Sequence, residues 1–228
     1  MHPDPHIVVW PDYHGFYGWL CQEVEGLPEA VLDFDSQDPA QEWMWWSIRR
    51  QVSHMAWDLL MVMYRRCHTL LWPDGHIPTP IAWEEHRLGR MRDDRMLDTR
   101  LFWHLDVLLE KVKLGVEWAT QVVTKVPVET LRATVSRHRG TPFWRQVIQV
   151  LPRGAWIDAQ EPQFISYTLE ASLWMLYYEV LTHLCTIQRL KRAQGLSTCV
   201  TIPRVGYLTL PEYTGEAASP GASFVPLR

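Results

Sequence analysis

Three ionisable side chains stand at positions where the helical pattern calls for apolar residues. Heptad steps from Leu169 reach Glu179, His183 and then Leu190, so a carboxyl and an imidazole interrupt an aliphatic stripe. Because Glu179 and His183 are four residues apart, they stack on one helix face with Cβ atoms about 6 Å apart. His54 breaks the stripe of an earlier helix in the same way. The three side chains are therefore candidates for sharing one ion.

Two charged residues lie one helical turn from His54, with Arg50 before it and Asp58 after it. Burying His54, Glu179 and His183 unpaired in charged form would cost roughly several kcal/mol each, so something must satisfy them. Either His54, Glu179 and His183 form a closed hydrogen-bond network, or they hold a metal. Asp58 is the candidate catalytic base or the partner that orients an imidazole, and Arg50 is the candidate contact for an anionic substrate.

The elements that must position these groups are helices separated by clusters of Pro and Gly. The clusters lie at residues 1–15, 72–80 and 151–162 and after Gly195. Capping residues and apolar periodicity predict four long helices, which run from about Tyr13 to Glu25, from Asp38 to about Arg66, from Asp98 to Pro127 and from Thr168 to Gly195. For the second helix, Ser47 offers a later start.

These elements predict an all-α fold, an up-and-down-type four-helix bundle with long connections and a C-terminal extended arm. The bundle domain spans residues 1–195, with an N-terminal arm and insertions at 72–96 and 128–167. Within the second insertion, Thr141 and Pro142 predict a short helix to about Leu151. Residues 196–228 are predicted to form the arm, partly disordered, with residues 205–213 folding back over the bundle.

Composition excludes several classes of protein. The chain has 228 residues, 47% of them hydrophobic, and a formal charge of -4, which argues against nucleic acid as a partner. No apolar stretch has the roughly 18 residues of a membrane span. Four cysteines without CxxC spacing and the lack of a signal peptide predict a cytoplasmic protein. The chain also lacks GxSxG, GxGxxG, P-loop and HExxH motifs.

Two stretches resemble the DinB/YfiT-like superfamily of bacterial four-helix-bundle metalloproteins. They are LDFDSQDPAQEWMWWSIRRQVSHMAWD at residues 32–58 and TLEASLWMLYYEVLTHLCTIQRLKRAQG at residues 168–195. The resemblance implies that His54 and His183 are metal ligands and that Glu179 takes the place of a third ligand, a histidine in that family. Two imidazoles and one carboxylate suit a divalent Zn, Ni or Fe ion. The Arg-Gly that commonly follows the pair is replaced by Leu184-Cys185.

The resemblance also implies a function. We expect a metal-dependent hydrolase or thiol (S-)transferase that acts on a small-molecule substrate, with a low-molecular-weight thiol as a candidate. The resemblance and the aromatic content, which includes thirteen tryptophans, favour a homodimer. The alternative is a non-catalytic helical-bundle protein in which the same side chains form a metal-free buried polar network.

Overall fold

The computed structural model describes residues 10–35, 45–71, 95–140 and 142–210. The first helix, α1 (Tyr13–Val24), begins where the Asp12 side chain accepts a hydrogen bond from the Gly15 amide. Its apolar stripe is buried as predicted, at Phe16, Leu20 and Val24. A single short turn, α2 (Glu29–Leu32), follows and leads towards the second long helix.

The second long helix, α3 (Ile48–Val62), begins at the later of its two predicted starts. The hydroxyl of Ser47 accepts from the Arg50 amide and caps the helix. The earlier predicted start at Asp38 lies outside the described residues. After Val62 the helix widens into a π-helical segment (Met63–His68) and ends in one further turn, α4 (Thr69–Leu71).

The third long helix, α5 (Leu105–Lys125), begins later than the predicted start at Asp98. Asp98 does cap a turn, because its side chain accepts from the Arg100 amide and its carbonyl accepts from the Phe102 amide. The chain then becomes extended at His104 before α5 starts. The prediction was wrong here because a capping residue can begin a single turn as well as a helix.

The last long helix, α8 (Leu169–Ala193), follows two short helices and a small sheet. Two short helices, α6 (Val128–Ala133) and α7 (Pro142–Val150), lie in the predicted insertion, and α7 matches the predicted short helix. The cap of α8 is confirmed, since the Thr168 hydroxyl accepts from the Ala171 amide.

A three-stranded antiparallel sheet corrects the all-α prediction to a mostly helical fold. Its strands are β1 (Val135–Arg139), β2 (Ala155–Ile157) and β3 (Phe164–Thr168), in the order β1-β3-β2. Val135 pairs with Thr168 and Arg139 with Phe164, so β3 leads directly into α8. Short strands within a predicted insertion escaped detection because charged residues mask the alternation of β1.

The four long helices form a ring in which α3 packs against α5 and α8, and α1 packs against the same two helices. Helices α1 and α3, which follow each other among the four long helices, therefore lie diagonally opposite each other. This placement corrects the predicted up-and-down order, in which helices that follow each other are neighbours. The two helices that carry the candidate ligands, α3 and α8, are direct neighbours. None of the helices in the described residues combines the length and apolarity needed to cross a membrane.

The described part of the C-terminal arm folds back onto the bundle, as predicted. A 3₁₀ turn (Gly206–Thr209) packs on α8 and α7, with Tyr207 and Leu208 buried. Gly206 has a φ of +54°, and a Cβ there would lie 2.1 Å from the Tyr178 ring. Glycine is therefore required at this contact. The remainder of the predicted arm, residues 211–228, lies outside the described residues.

Two glycines inside helices give a matched test of the packing between α3 and α5. A Cβ on Gly115 would lie 2.5 Å from the Leu59 Cβ, whereas a Cβ on Gly18 meets nothing within 4 Å. We expect Gly115→Ala to lower the free energy of unfolding by about 1–3 kcal/mol through overpacking. Gly18→Ala should raise it by up to about 1 kcal/mol through helix propensity. Urea unfolding of both variants checks this, and equal effects would contradict the close approach.

Candidate metal centre

Two of the candidate groups lie one turn apart on α3. The His54 side chain is fully buried, and its Nδ1 lies 2.6 Å from the backbone oxygen of Arg95. Its Nε2 lies 2.9 Å from Oδ2 of Asp58, but the two atoms do not have hydrogen-bond geometry. The carboxylate is therefore beside the imidazole nitrogen without being the acceptor of its proton.

The facing side of α8 supplies the other two groups. The His183 side chain is buried, and its Nδ1 lies 2.6 Å from Oε1 of Gln51. Its Nε2 lies 3.6 Å from Oε1 of Glu179, which is 14% exposed. Each helix therefore presents a histidine and a carboxylate four residues apart, and the two pairs meet across the contact between α3 and α8.

The four side chains converge on one point. Each of His54, Asp58, Glu179 and His183 offers one ligand atom, and these atoms all lie within 4.8 Å of one another. Two ligands bonded to one ion at roughly 2.0–2.2 Å are at most ~4.4 Å apart. Four ligands arranged tetrahedrally at this bond length are ~3.3–3.6 Å apart, so the most widely separated donor atoms would move closer by as much as about 1.5 Å on binding an ion. Two imidazoles and two carboxylates are a donor set that fits a divalent metal.

The hydrogen bonds behind the histidines determine which nitrogen is available. Both Nδ1 atoms face oxygen acceptors, the Arg95 carbonyl and the Gln51 side-chain oxygen, so each Nδ1 carries the proton and donates it. In the neutral rings the lone pair is then on Nε2, the atom that faces the carboxylates. Carbonyl partners behind ligand imidazoles are typical of metal sites, because they orient the ring and raise its basicity.

Tryptophans enclose the two imidazoles. Trp46 stacks on His183 with ring centroids 6.3 Å apart and lies 4.9 Å from His54. Trp57 stacks on His54 with ring centroids 6.0 Å apart. Trp46, which precedes α3, and Trp57, which lies within it, thus pack against the two imidazoles. These contacts explain part of the unusual aromatic content and keep water away from the rings.

The local electrostatics separate the two histidines. Burial disfavours the charged form of His54, but attraction to Asp58 outweighs it and raises the pKa of His54. Burial and repulsion from His54 lower the pKa of His183. Burial opposes ionisation of Asp58, yet the two imidazoles lower the pKa of this carboxyl. The cluster therefore favours ionised Asp58 beside a neutral His183.

A cavity of about 220 Å³ opens beside the carboxylates, and both Asp58 and Glu179 line it. It runs between α3 and α8, and Tyr207 of the folded-back arm contributes to its wall. The cluster is thus buried on the histidine side and accessible to a small molecule on the carboxylate side. This is the arrangement that a catalytic metal site needs, since one position must stay open.

The structure brings together all three predicted ligands and adds Asp58, which was expected as a base or orienting group, as a fourth donor. It does not bring Arg50 to the cluster. The Arg50 side chain is 43% exposed, and its guanidinium lies 4.0 Å from Oδ2 of Asp35. The arginines that line the cavity are Arg66 and Arg95.

Sequence reasoning missed Gln51 and Arg95, which hold the two histidines. Gln51 had a usable signal, because it precedes His54 by three residues and so shares its helix face. Arg95 had none, since it reaches His54 through its backbone oxygen from the end of a long connection. A contact made by a main-chain atom of a loop leaves no trace in residue types.

Substitutions at Gln51 test the site without removing any of the four side chains that would bind the ion. We expect Gln51→Leu to weaken zinc binding by about 10–100-fold, because His183 loses the acceptor that fixes its tautomer. Gln51→Glu keeps an acceptor at the same position and should bind zinc at least as tightly as the parent. Competition titration with a chromophoric chelator measures both. Equal affinity of the Leu variant and the parent would contradict the orienting role.

Metal affinity should depend on pH through His54. Its pKa is raised, so acidification protonates His54 before an ordinary histidine, and an ion must then displace that proton. Affinity should therefore be constant above this pKa and fall about tenfold per pH unit below it. The same competition titration between about pH 8 and about pH 5.5 tests this. An affinity that does not change over this range would show that no imidazole binds the ion.

Comparison with protein-family models, with curated proteins and with solved structures finds no match to this chain.

Proposed function

We propose that this protein is a metal-dependent enzyme that holds one divalent ion at His54, Asp58, Glu179 and His183 and acts on a small molecule by hydrolysis or thiol transfer. The observation that carries the proposal is the convergence of the four donor atoms within 4.8 Å. Two carboxylates in a largely buried site are costly without compensating charge, and a divalent ion balances both. Zn, Ni and Fe all suit this donor set.

The two histidines would bind the ion, and Asp58 would also transfer a proton. A divalent ion supplies the acidity that makes a coordinated water or thiol a nucleophile near neutral pH. His54 and His183 are fixed by their Nδ1 partners and serve as permanent ligands. The Asp58 side chain is 13% exposed and lines the cavity. One of its carboxylate oxygens would bind the ion, and the other would act as the general base that accepts the proton of the nucleophile.

The choice between hydrolysis and thiol transfer rests on the nucleophile. Among the described residues, no cysteine lines the cavity. A transferred thiol would therefore come from the substrate, in agreement with the low-molecular-weight thiols implied by the DinB/YfiT-like resemblance. That resemblance and the aromatic content are the basis for proposing a homodimer, and the cysteine usage is the basis for proposing a cytoplasmic protein.

The second candidate is a non-catalytic bundle with a metal-free polar network. It is favoured by the raised pKa of His54, because an imidazolium beside the Asp58 carboxylate would satisfy both groups. The poor hydrogen-bond geometry between His54 Nε2 and Asp58 speaks against this network, since a closed network needs that bond.

Elemental analysis of protein grown with Zn, Ni and Fe tests the proposal. We expect about one ion per chain in the parent and almost none in His54→Ala or His183→Ala. The exposed His104 provides the matched control His104→Ala, which should keep its ion. Absence of metal from the parent would overturn the proposal in favour of the network.

An activity screen then separates the reaction types. Chelator-treated protein would be assayed before and after addition of each metal, with chromogenic esters and phosphoesters and with an electrophile plus a low-molecular-weight thiol. We expect that adding the metal restores activity on one class of substrate to the parent and to His104→Ala. It should not restore activity to Asp58→Asn. A metal-loaded parent that is no more active than Asp58→Asn on either class would contradict an enzyme.

A further inference from the structure

The cavity beside the metal centre contains two arginines that stack on aromatic rings. The guanidinium carbon of Arg66 lies 4.7 Å from the Tyr167 ring centroid, and that of Arg95 lies 5.8 Å from the Trp46 centroid. Within the parts of the chain that the structure describes, neither guanidinium pairs with a carboxylate. Stacking occupies the guanidinium face and leaves the N–H edge available to a planar oxyanion.

The charges in the site favour an anionic ligand. With neutral histidines, the two carboxylates of Asp58 and Glu179 balance a divalent ion, so the metal centre itself is neutral. The guanidinium groups of Arg66 and Arg95 then give the cavity two positive charges in a partly desolvated space. A ligand with one or two negative charges would compensate them, and charge-assisted bonds to guanidinium groups are among the strongest available.

The two arginines lie at different places along the cavity. Arg95 is close to the metal centre, because its backbone oxygen lies 2.6 Å from Nδ1 of His54. Arg66 follows Asp58 by eight residues, which corresponds to about 12 Å along a helix axis. It lies in the π-helical segment Met63–His68, a rare conformation that often occurs at functional sites.

Apolar side chains line the cavity between these positions. Met61 and Met175 contribute from α3 and α8, and Tyr207 contributes from the folded-back arm. Methionines adapt to ligands of irregular shape. The volume of about 220 Å³ is below the roughly 300–1,000 Å³ of pockets for drug-sized ligands, so the occupant is small.

We infer that the substrate of the proposed metal-dependent enzyme is a small organic anion with a carboxylate or phosphate at one end. This group binds the N–H edge of Arg66, the apolar part lies on Met61 and Met175, and the reacting group lies at the metal centre beside Arg95. The inference rests on the proposed function, because it assigns the substrate class of that site.

Binding of simple probes to zinc-loaded protein tests the inference. The probes are 4-phenylbutyrate, the phosphate monoester of 2-phenylethanol, and the neutral alcohol 4-phenylbutanol, each followed by calorimetry. We expect at least one anion to bind at least tenfold more tightly than the alcohol, and the better anion distinguishes carboxylate from phosphate.

This preference for the anion should disappear in Arg66→Met and survive partly in Arg66→Lys, which keeps the charge but loses the planar edge. Arg192 is exposed at the end of α8, so Arg192→Met is the matched control and should bind like the parent.

Measuring zinc binding beside anion binding distinguishes failure of the anion site from failure of the metal centre. Zinc stoichiometry would be measured for every variant, and Arg66→Met should retain its ion. If zinc binds but the anions bind no better than the alcohol, or Arg66→Met keeps the preference, the anion site is overturned and the metal centre stands. If zinc does not bind, the same titrations on metal-free protein decide the anion site alone, and loss of the preference in Arg66→Met would still support it. No detectable binding of either anion at millimolar concentration overturns it.

Discussion

Zinc should raise the melting temperature of this protein by about 10 °C and should have no such effect on His54→Ala or His183→Ala. An ion that binds only the native state at about 1,000 times its Kd adds roughly 4 kcal/mol to the free energy of unfolding. For a chain of this size, 1 kcal/mol corresponds to about 2–4 °C. Removing one buried imidazole breaks the donor set that this structure brings within 4.8 Å.

The test compares each protein with and without zinc, so a variant that is less stable from the start still gives a clear answer. Asp58→Asn keeps the shape of the side chain and should show a reduced zinc effect, because an amide oxygen is a weaker ligand than a carboxylate. His104→Ala should respond like the parent. A full zinc response in His54→Ala and His183→Ala would place the ion elsewhere in the chain.

Replacing Glu23 by Ala should lower the free energy of unfolding by about 3–5 kcal/mol, because it leaves a buried ammonium without its partner. The Glu23 side chain is fully buried, and Lys191 of α8 donates to both its carboxylate and its backbone oxygen. Gln188 and the amides of Cys199 and Val200 donate to the same carboxylate. One side chain thus joins the end of α1, the end of α8 and the start of the arm.

Acid should weaken this junction in the parent protein. Burial opposes ionisation, but Lys191 and Gln188 outweigh it and lower the pKa of Glu23 from its ordinary 4.5. The contribution to stability is therefore complete above about pH 4.5 and is lost as the pH falls through the lower native value. Urea unfolding at several pH values measures this.

A double variant distinguishes the contribution of the ion pair between Glu23 and Lys191 from that of the surrounding packing. Replacing Glu23 and Lys191 together by Leu and Met removes both charges, so it should be less destabilising than Glu23→Ala alone. If the single and double variants lose the same free energy, then the cost lies in the packing and the ion pair is not the cause.

Local sequence signals predicted the parts of the fold that depend on helix caps and apolar periodicity. Thr168 capped α8 as expected, and the stripe through Phe16, Leu20 and Val24 is buried. The order of the helices around the ring is decided by packing between distant elements. No local pattern specifies it, and the diagonal placement of α1 and α3 was therefore missed. The strands of the sheet are too short for periodicity to detect, and charged residues also mask the pattern of β1.

The candidate site was predicted where polar residues interrupt a helical stripe. Glu179 and His183 carried that signal, and so did His54 with Asp58 one turn later. The partners behind the rings and the arginines of the cavity depend on how α3, α8 and the segment after residue 94 meet. Arg50 was chosen because it lies one turn from His54, but its side chain is partly exposed and its guanidinium lies near Asp35.

X-ray absorption spectroscopy of the zinc-loaded protein identifies the atoms that bind the ion. We expect a first shell of nitrogen and oxygen only, with outer-shell scattering from two imidazole rings in both the parent and His104→Ala. A sulfur ligand, or a shell without imidazole, would show that zinc does not bind between His54 and His183.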